Sequence, residues 1–482
     1  MAKLQTPATN ILQALRQRGG VASSSELQAA LSISQPSMSR ALAPLIQAGQ
    51  VQKVGAARSQ RYVLPRHVER VGRQVPIMRV DAAGQASPFA RMTLLEGGDV
   101  WVDEADGVSQ RHSGLPWFLH DMRPQGFMGR TFAQNHPELH LGSNPSRWSD
   151  DDMLRALSLY GDDLPGNLIV GEAALNRYFE RFHSLAERAS QAASPADYPQ
   201  LAERAMQGST GGSSAGGEQP KFCTVTAGRA VLVKFSPPGD SPQEQRLRDL
   251  LVCEHLAIQT LADVGIPAAK TQIFTGAGRV FLESERFDRT ATGGPIGAQM
   301  GPKIGRIGMV SLSVYDAEYV GQEENWAATA DRMAARGLLT AKDAAHLRFL
   351  EAYGLLIANT DRHYGNISLL LHGSKNGGDW ALSPTYDMLP MWYAPVGGEL
   401  VARDFAARPL QPTAATLPEW PRARALAVQF WQAAAQDARI SREFRVISAQ
   451  NAVHLVDRSQ RGGFDYFLGL VPNAPVMTGD EL

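Results

Sequence analysis

Near the N-terminus apolar side chains recur at helical spacing in three short runs. Ile11, Leu12 and Leu15 share one face of a short helix. Ser24 or Ser25 offers an N-cap for a second, which carries Leu27 and Leu31. After a turn over residues 32–35, Pro36 stands where a first helical turn tolerates a missing N–H, and Met38, Leu42, Leu45 and Ile46 form the buried stripe of a third helix. Gly49 ends it. The stretch VQKVGAARSQRYVL then reads as two strands round a Gly-Ala-Ala-Arg-Ser tip. Helix, helix-turn-helix and β-wing predict a winged helix over residues 1–73.

The next segment, 74–205, says less. VWVDEADG reads as a strand and turn, SGLPWFLHDMRPQGFMGR as a packed corner, and helical periodicity dominates residues 149–159 and 172–192. Further on, RAVLVKFS is a strand bearing Lys234, residues 244–262 form a helix, and RVFLESERFDR is a strand that ends at Glu285. Thr340, with Asp343 three residues on, caps a helix whose Leu347, Leu350, Tyr353 and Ile357 keep one apolar face up to Asn359. Residues 367–371 and 380–382 are arms of a hairpin around Asn-Gly-Gly. Mixed helices and strands give an α/β (α+β) class, with segments 1–73, 74–205, 206–290, 291–445 and 446–482. The residues after about 440 read as a poorly ordered tail.

Composition narrows this. With 482 residues, 44% hydrophobic and 20% charged, the chain can bury more than one core. No apolar run approaches the roughly 18 to 20 residues of a membrane helix. The start MAKLQTPATN has no apolar signal core, so a cytoplasmic protein without a membrane partner is expected, with Cys223 and Cys253 as core thiols. Net charge is −1, yet residues 1–73 hold ten Lys or Arg against two acids, a local +8 against −9 for the rest. A basic head on an acidic body predicts double-stranded DNA as a partner. Gln35, Ser37, Ser39 and Arg40 would face the major groove, and Arg58 and Arg61 on the wing would reach phosphate or the minor groove. Winged helices also serve as protein-docking modules.

The candidate chemistry lies in NTDRHYGNISLLLHGSKNGGDWALSPTYDMLP. Asp361 and Asn366 are five apart, and Asp387 returns beside Asn366 after the hairpin. Two adjacent oxygen ligands suit Mg²⁺, which keeps several waters and takes phosphate oxygens in its other positions. Asp361 is then left to orient or deprotonate a hydroxyl. That order of Asp, Asn and metal-binding Asp is the one found in protein kinases. Upstream, STGGSSAGGEQPKF offers backbone N–H groups and Lys221 to phosphates, although a Gly/Ser-rich stretch also reads as a linker. Lys234 occupies the position of a phosphate-holding strand lysine, with Glu254 on the following helix as its carboxylate partner. Glu285, Arg286 and Phe287 make a hinge whose backbone would meet an adenine edge.

Together SAGGEQPK, ERFDR, NTDRHYGN and YDMLP resemble the HipA family of bacterial serine/threonine-protein kinases, best known as toxins of type II toxin–antitoxin systems. The resemblance covers residues from about 75 to 440, and the fused winged helix looks like the YjjJ (HipH) branch. It implies a two-lobed, protein-kinase-like fold that uses ATP and Mg²⁺ to phosphorylate a Ser or Thr of a protein. Asp361 would be the base, and Asn366 and Asp387 the Mg²⁺ ligands. His363, with Tyr364 and Gly365, would lie in the nucleotide site. Ala215, Gly216, Gly217, Glu218, Gln219, Pro220 and Lys221 would cover the phosphates that Lys234 contacts, and Glu285, Arg286 and Phe287 would hold adenine. The family's autophosphorylated serine, whose modification silences the kinase, falls on Ser214, seven residues before Lys221, with Ser213 as the alternative. The family often has Gln-Ala-Leu-Gly near the adenine; this chain has Glu318, Tyr319, Val320 and Gly321. Such toxins are commonly held by a separate DNA-bound antitoxin, which a head fused in cis makes dispensable; a dimer stays open. Two other functions fit the same residues. One is a nucleotide-sensing DNA-binding regulator with weak or no kinase activity. The other is a Mg²⁺-dependent DNA nuclease built on Asp361, His363 and Asp387.

Overall fold

The computed structural model describes residues 7–55, 60–187, 193–207, 218–292, 303–372 and 379–461. The chain divides into two compact units, essentially residues 1–189 with 292–306, and 190–291 with 307–482.

The first unit begins with α1 (Pro7–Arg16), β1 (Val21–Ala22), α2 (Ser24–Leu31), α3 (Gln35–Gln47), β2 (Gln52–Val54) and β3 (Arg61–Val63). Ile11, Leu15, Leu27, Met38, Leu42 and Leu45 interlock in one core, as the helical spacing requires. The strands form an antiparallel sheet of order β1-β3-β2. The cap of α2 is Ser23, not Ser24 or Ser25. Glu26 decides this, because from the third helical position its carboxylate accepts the Ser23 N–H at 2.6 Å while Ser23 Oγ accepts the Glu26 N–H.

A five-stranded antiparallel sheet follows, built from β4 (Gln74–Val80), β5 (Ala86–Leu94), β6 (Val100–Glu104), β7 (Ser109–His112) and β8 (Leu168–Val170) in the order β7-β6-β5-β4-β8. With α4 (Gly126–Asn135) and α5 (Asp150–Tyr160) it buries Ile77, Met92, Leu94, Val102, Met153 and Leu157; α6 (Glu172–Glu187) packs beside β8. The predicted boundary at 73/74 is not a loose joint. Val54 and Val63 pack with Leu95 and Trp101, and the Gly55 N–H donates to Asp103 Oδ1 at 3.2 Å. Arg16 pairs with Glu96 at 3.0 Å and Arg66 with Asp151 at 2.6 Å. Part of the head's positive charge is thus spent on its own neighbour.

The second unit holds α7 (Tyr198–Met206) and an antiparallel sheet of β9 (Lys221–Thr226), β10 (Arg229–Phe235), β11 (Thr271–Gly276) and β12 (Arg279–Glu285), in the order β11-β12-β10-β9. Between β10 and β11 runs α8 (Pro242–Asp263), started by a Ser241–Glu244 capping box. A smaller sheet joins β13 (Gly308–Ser311), β14 (Ser368–His372) and β15 (Asp379–Leu382). Helices α9 (Leu312–Tyr319), α10 (Trp326–Ala335), α11 (Ala341–Leu356), α12 (Trp420–Gln436) and α13 (Arg442–Arg461) complete it. The expected tail after 440 is instead helical to residue 461. Phe444 and Leu455 are buried, and Asn451 accepts the Tyr393 hydroxyl at 3.2 Å. Exposed Val446, Val453 and Val456 on the opposite face hide that stripe from a periodicity argument. Among the described residues no helix is long and apolar enough to cross a membrane.

Candidate active site

The site starts with strand register. β9 and β10 run antiparallel with Lys221 directly opposite Lys234, so both side chains leave the sheet on one face. Like charges so placed repel, and two carboxylates meet them. Lys234 Nζ lies 2.8 Å from Glu254 Oε1 on α8 and 2.5 Å from Asp387 Oδ1. Burial works against the Lys234 charge, but Asp387 and Glu254 outweigh it and hold its pKa above the usual lysine range. Asp387 is desolvated too; Lys234 more than compensates and lowers its pKa. For Glu254 burial wins over Lys234, and its pKa rises. Lys221, buried first and facing Lys234 second, is pushed down to about 8. Glu254 therefore does partner Lys234.

The loop carrying Asp361 is anchored at both ends. Past α11, Ala358 turns through a left-handed φ of 61°, and buried Asn359 accepts the Asp361 N–H at 2.9 Å. Arg362 binds Glu351 Oε1 of α11 at 3.1 Å and also the Asn359 carbonyl. Asn366 donates its amide to the Asp361 carbonyl at 2.8 Å. The Asp361 side chain itself is 46% exposed, with His363 Nε2 3.7 Å away. His363 Nδ1 accepts the Gly365 N–H at 3.0 Å, which leaves a neutral ring's proton on Nε2. Nothing local in the sequence singles out Asn359, Glu351 or Tyr386, and Arg362 stands out only as the residue after Asp361.

Asp387 reaches this loop through its neighbour. The Tyr386 hydroxyl lies 2.7 Å from Ser368 Oγ and donates to the Gly365 carbonyl at 3.1 Å. Asp387 has φ 55°, an uncommon conformation for a side-chain-bearing residue. The hairpin returns it to Lys234, and the Asn366 amide turns to the Asp361 carbonyl.

Several predicted ligand contacts are committed elsewhere. Tyr364 is buried; its hydroxyl accepts the Glu324 N–H at 2.7 Å and meets Thr329, so it pins the loop to α10 rather than facing a nucleotide. In the hinge, the Glu285 and Arg286 N–H groups donate to Lys270 and Ala230 at 2.9 Å, extending the sheet. The Arg286 guanidinium grips Asp288 at 3.1 and 3.0 Å. Only Phe287 of the three points its ring toward this region, 5.5 Å from that of Tyr386. Gln219 donates to the Phe235 carbonyl at 2.8 Å, and Pro220 accepts the Phe235 N–H at 3.0 Å, which ties the end of the glycine stretch to β10. Glu218 is exposed beside them, and Glu318 is exposed on α9. Ser213, Ser214, Ala215, Gly216 and Gly217 lie outside the described residues, as does Arg58.

In the head, Ser39 and Arg40 are exposed on α3. Gln35 accepts from Ser24 Oγ at 2.7 Å and from Gln28 at 2.5 Å, so it braces the α2–α3 corner. Ser37 accepts from Ser34 Oγ at 3.1 Å, and Arg61 is half-buried. Among the described residues no group of three or more His, Cys, Asp or Glu is arranged to hold a metal. The oxygen donors at hand are Asp361, Asn366 and Asp387, a set whose hard character fits Mg²⁺.

Residues 71–179 match the family described as YjjJ-like toxin, middle domain, and residues 213–458 match the HipA-like C-terminal domain. Over 438 residues the chain is 37% identical to Toxin YjjJ of Escherichia coli (strain K12), covering 89% of this chain and 94% of that protein. It is similar to HipA of Shewanella oneidensis MR-1, solved with HipB and its operator DNA, at a TM-score of 0.49 and 13% identity, over 82% of this chain and 100% of that one. A Helicobacter pylori proinflammatory kinase, CtkA, is similar at a TM-score of 0.34 and 14% identity, over 53% of this chain and 94% of that one.

Proposed function

The chain belongs to the YjjJ-like branch of the HipA-like toxins, and from that premise we propose that it is a serine/threonine-protein kinase using ATP and Mg²⁺. One observation carries the reading: Lys234 bridges Glu254 and Asp387, while half-exposed Asp361 stands on a loop tied to Tyr386, the residue before Asp387. A buried lysine held between two carboxylates keeps its charge for a triphosphate, and a base fixed by its own backbone bonds loses little entropy on reaction.

Asp361 accepts the proton of a Ser or Thr hydroxyl as its oxygen attacks the γ-phosphorus, and ADP leaves. Lys234 and Lys221 hold the phosphates. Asn366 and Asp387 would bind Mg²⁺, which when bound neutralises charge on the phosphate oxygens. His363 faces the same phosphates. With two hinge N–H groups already committed, adenine would rest on the Phe287 and Tyr386 rings. The glycine stretch 215–217 would close over the phosphates, and Ser214 or Ser213 would be the autophosphorylated residue, as the family resemblance implies.

The order and pairing of the head's elements support a winged helix, and exposed Ser39 and Arg40 support α3 as its DNA-reading element. On this reading the protein is cytoplasmic and binds DNA in cis, with a separate antitoxin dispensable.

Incubation of the purified chain with γ-labelled ATP and Mg²⁺, followed by peptide mapping, tests the proposal. Label on glycine-stretch serines is expected, and Asp361→Ala should abolish it without lowering the melting temperature. ATP binding with no transfer would leave a nucleotide-sensing regulator, and ATP-independent DNA nicking a nuclease.

A further inference from the structure

The two carboxylates that hold Lys234 stand on elements that meet again at the start of α13. Five residues before Glu254 on α8, Asp249 is fully buried and accepts three hydrogen bonds. They come from the Ser441 N–H at 2.8 Å, the Ser441 hydroxyl at 2.6 Å and Gln245 Nε2 at 3.0 Å. Ser441 immediately precedes α13. One turn earlier on α8, buried Arg246 donates to the Tyr393 carbonyl at 3.2 Å and to Glu443 Oε1 at 3.0 Å. Its guanidinium carbon lies 4.7 Å from the Phe444 ring centroid.

Tyr393 belongs to the short turn that follows Asp387, and α13 holds it as well. Its ring meets that of Phe444 edge-on at 5.3 Å, and its hydroxyl lies 2.9 Å from Asn451 Nδ2. Beside it, the Trp392 N–H donates to the Ala358 carbonyl at 3.1 Å, at the head of the Asp361 loop. A buried charge matched by hydrogen bonds adds little net stability over an apolar side chain of similar size, yet it tolerates few geometries. At about 100° per residue, Glu254 sits roughly 80° round α8 from Arg246. A rotation of α8 that loosens this clamp therefore swings the Glu254 carboxylate off Lys234.

We propose that Asp249 and Arg246, clasped by the start of α13, are positioning residues that set Glu254 and Asp387 at the spacing that holds Lys234 ready for phosphates. The proposal rests on the nucleotide-binding part of the kinase reading and adds to it the device that keeps the lysine aligned.

The test compares ATP with adenosine on the full chain by calorimetry, with melting temperatures as the check on folding. On this reading Lys234 meets only phosphates, so a clamp that acts through it changes ATP affinity and spares adenosine. Asp249→Leu should lower ATP affinity about tenfold and adenosine affinity by less than about twofold. Asp249→Asn, which keeps an oxygen for the Ser441 N–H, should stay within about twofold of wild type for both. In a Glu254→Gln background Asp249→Leu should add almost nothing, because two changes that act through one contact are not additive. If Asp249→Leu does not fold, Ser441→Ala removes the hydroxyl donor alone and should show the same selective loss at about threefold. Parallel losses for ATP and adenosine, no loss for either in a folded variant, or full additivity with Glu254→Gln overturns the proposal. ATP binding by the wild type without transfer of γ-label removes the kinase reading, and the two affinities still decide the clamp. A wild type that binds no ATP overturns both.

Discussion

Lys234 Nζ lies 2.5 Å from Oδ1 of Asp387, and the backbone of that aspartate sits at φ 55°. A side-chain-bearing residue held in the left-handed region costs on the order of 1–3 kcal/mol, which the surrounding structure must supply. Here the ion pair contributes, and Glu254 completes it. Lys234→Met would leave two desolvated carboxylates facing each other and should destabilise the chain by about 3 kcal/mol. Asp387→Asn should cost less, since Asn tolerates the conformation and Glu254 still neutralises Lys234. A double-mutant cycle followed by urea unfolding should return a coupling of about 1 kcal/mol or more. Strict additivity would show that the contact carries no energy.

Lys221 gives the site a pH dependence of known sign. Its pKa is pushed down to about 8 from an ordinary 10.5, so the unfolded chain keeps a proton that the folded chain has released. Stability from this group therefore rises with pH above about 8 and levels off near the unfolded value. Nucleotide affinity should move the other way. If Lys221 holds phosphate, the affinity for ATP falls as pH passes about 8, by up to tenfold per unit. Calorimetric titrations across that range check this, and Lys221→Arg should flatten the profile. A profile that is already flat in the wild type would remove Lys221 from phosphate binding.

Local signals in the sequence carried far. Thr340 and Asp343, three apart, do start α11, and strand alternation around Lys234 with a helix behind it was enough to find Glu254. What stayed hidden depends on partners distant in sequence. Nothing near Arg286 says that Ala230 will take its N–H, nor near Tyr364 that Thr329 and Glu324 will take its hydroxyl. Residues 442–461 misled for a different reason, because valines on the solvent face of α13 blur the stripe that Phe444, Asn451 and Leu455 bury. The charge count of the head was correct, yet it could not foresee Arg16 and Arg66 turning to Glu96 and Asp151.

Glu351 and Arg362 form a latch beside the candidate base. Glu351 Oε1 accepts from Arg362, while its Oε2 is buried with no hydrogen-bond partner among the described residues. A buried carboxylate that loses the cation paired with it is expensive, so Arg362→Ala should destabilise by about 3–5 kcal/mol. The double variant Arg362→Ala with Glu351→Leu removes the stranded charge and should recover a large part of the loss. Denaturant unfolding of the four chains reads this directly. Equal stability of the single and double variants would show that the carboxylate left behind by Arg362 costs the fold nothing.

The head makes a prediction that separates arginines that are already paired from those that are not. Arg16 lies 3.0 Å from Glu96, whereas Arg40 is exposed on α3 with the Pro36 carbonyl 3.4 Å from its Nε. A cation that neutralises a phosphate releases a counterion and adds about one unit to the salt slope of DNA binding; a cation already matched by a carboxylate adds little. Arg40→Ala should therefore lower the slope by about one, and Arg16→Ala should leave it nearly unchanged. Gln35→Ala should act differently again: Gln35 braces the corner through Ser24 and Gln28, so its loss lowers the melting temperature along with affinity. Titrations of labelled duplex at several salt concentrations decide the matter. Equal slope changes for Arg16 and Arg40 would deny that the docked face is withheld from DNA, and a salt-independent affinity would end the case for DNA altogether.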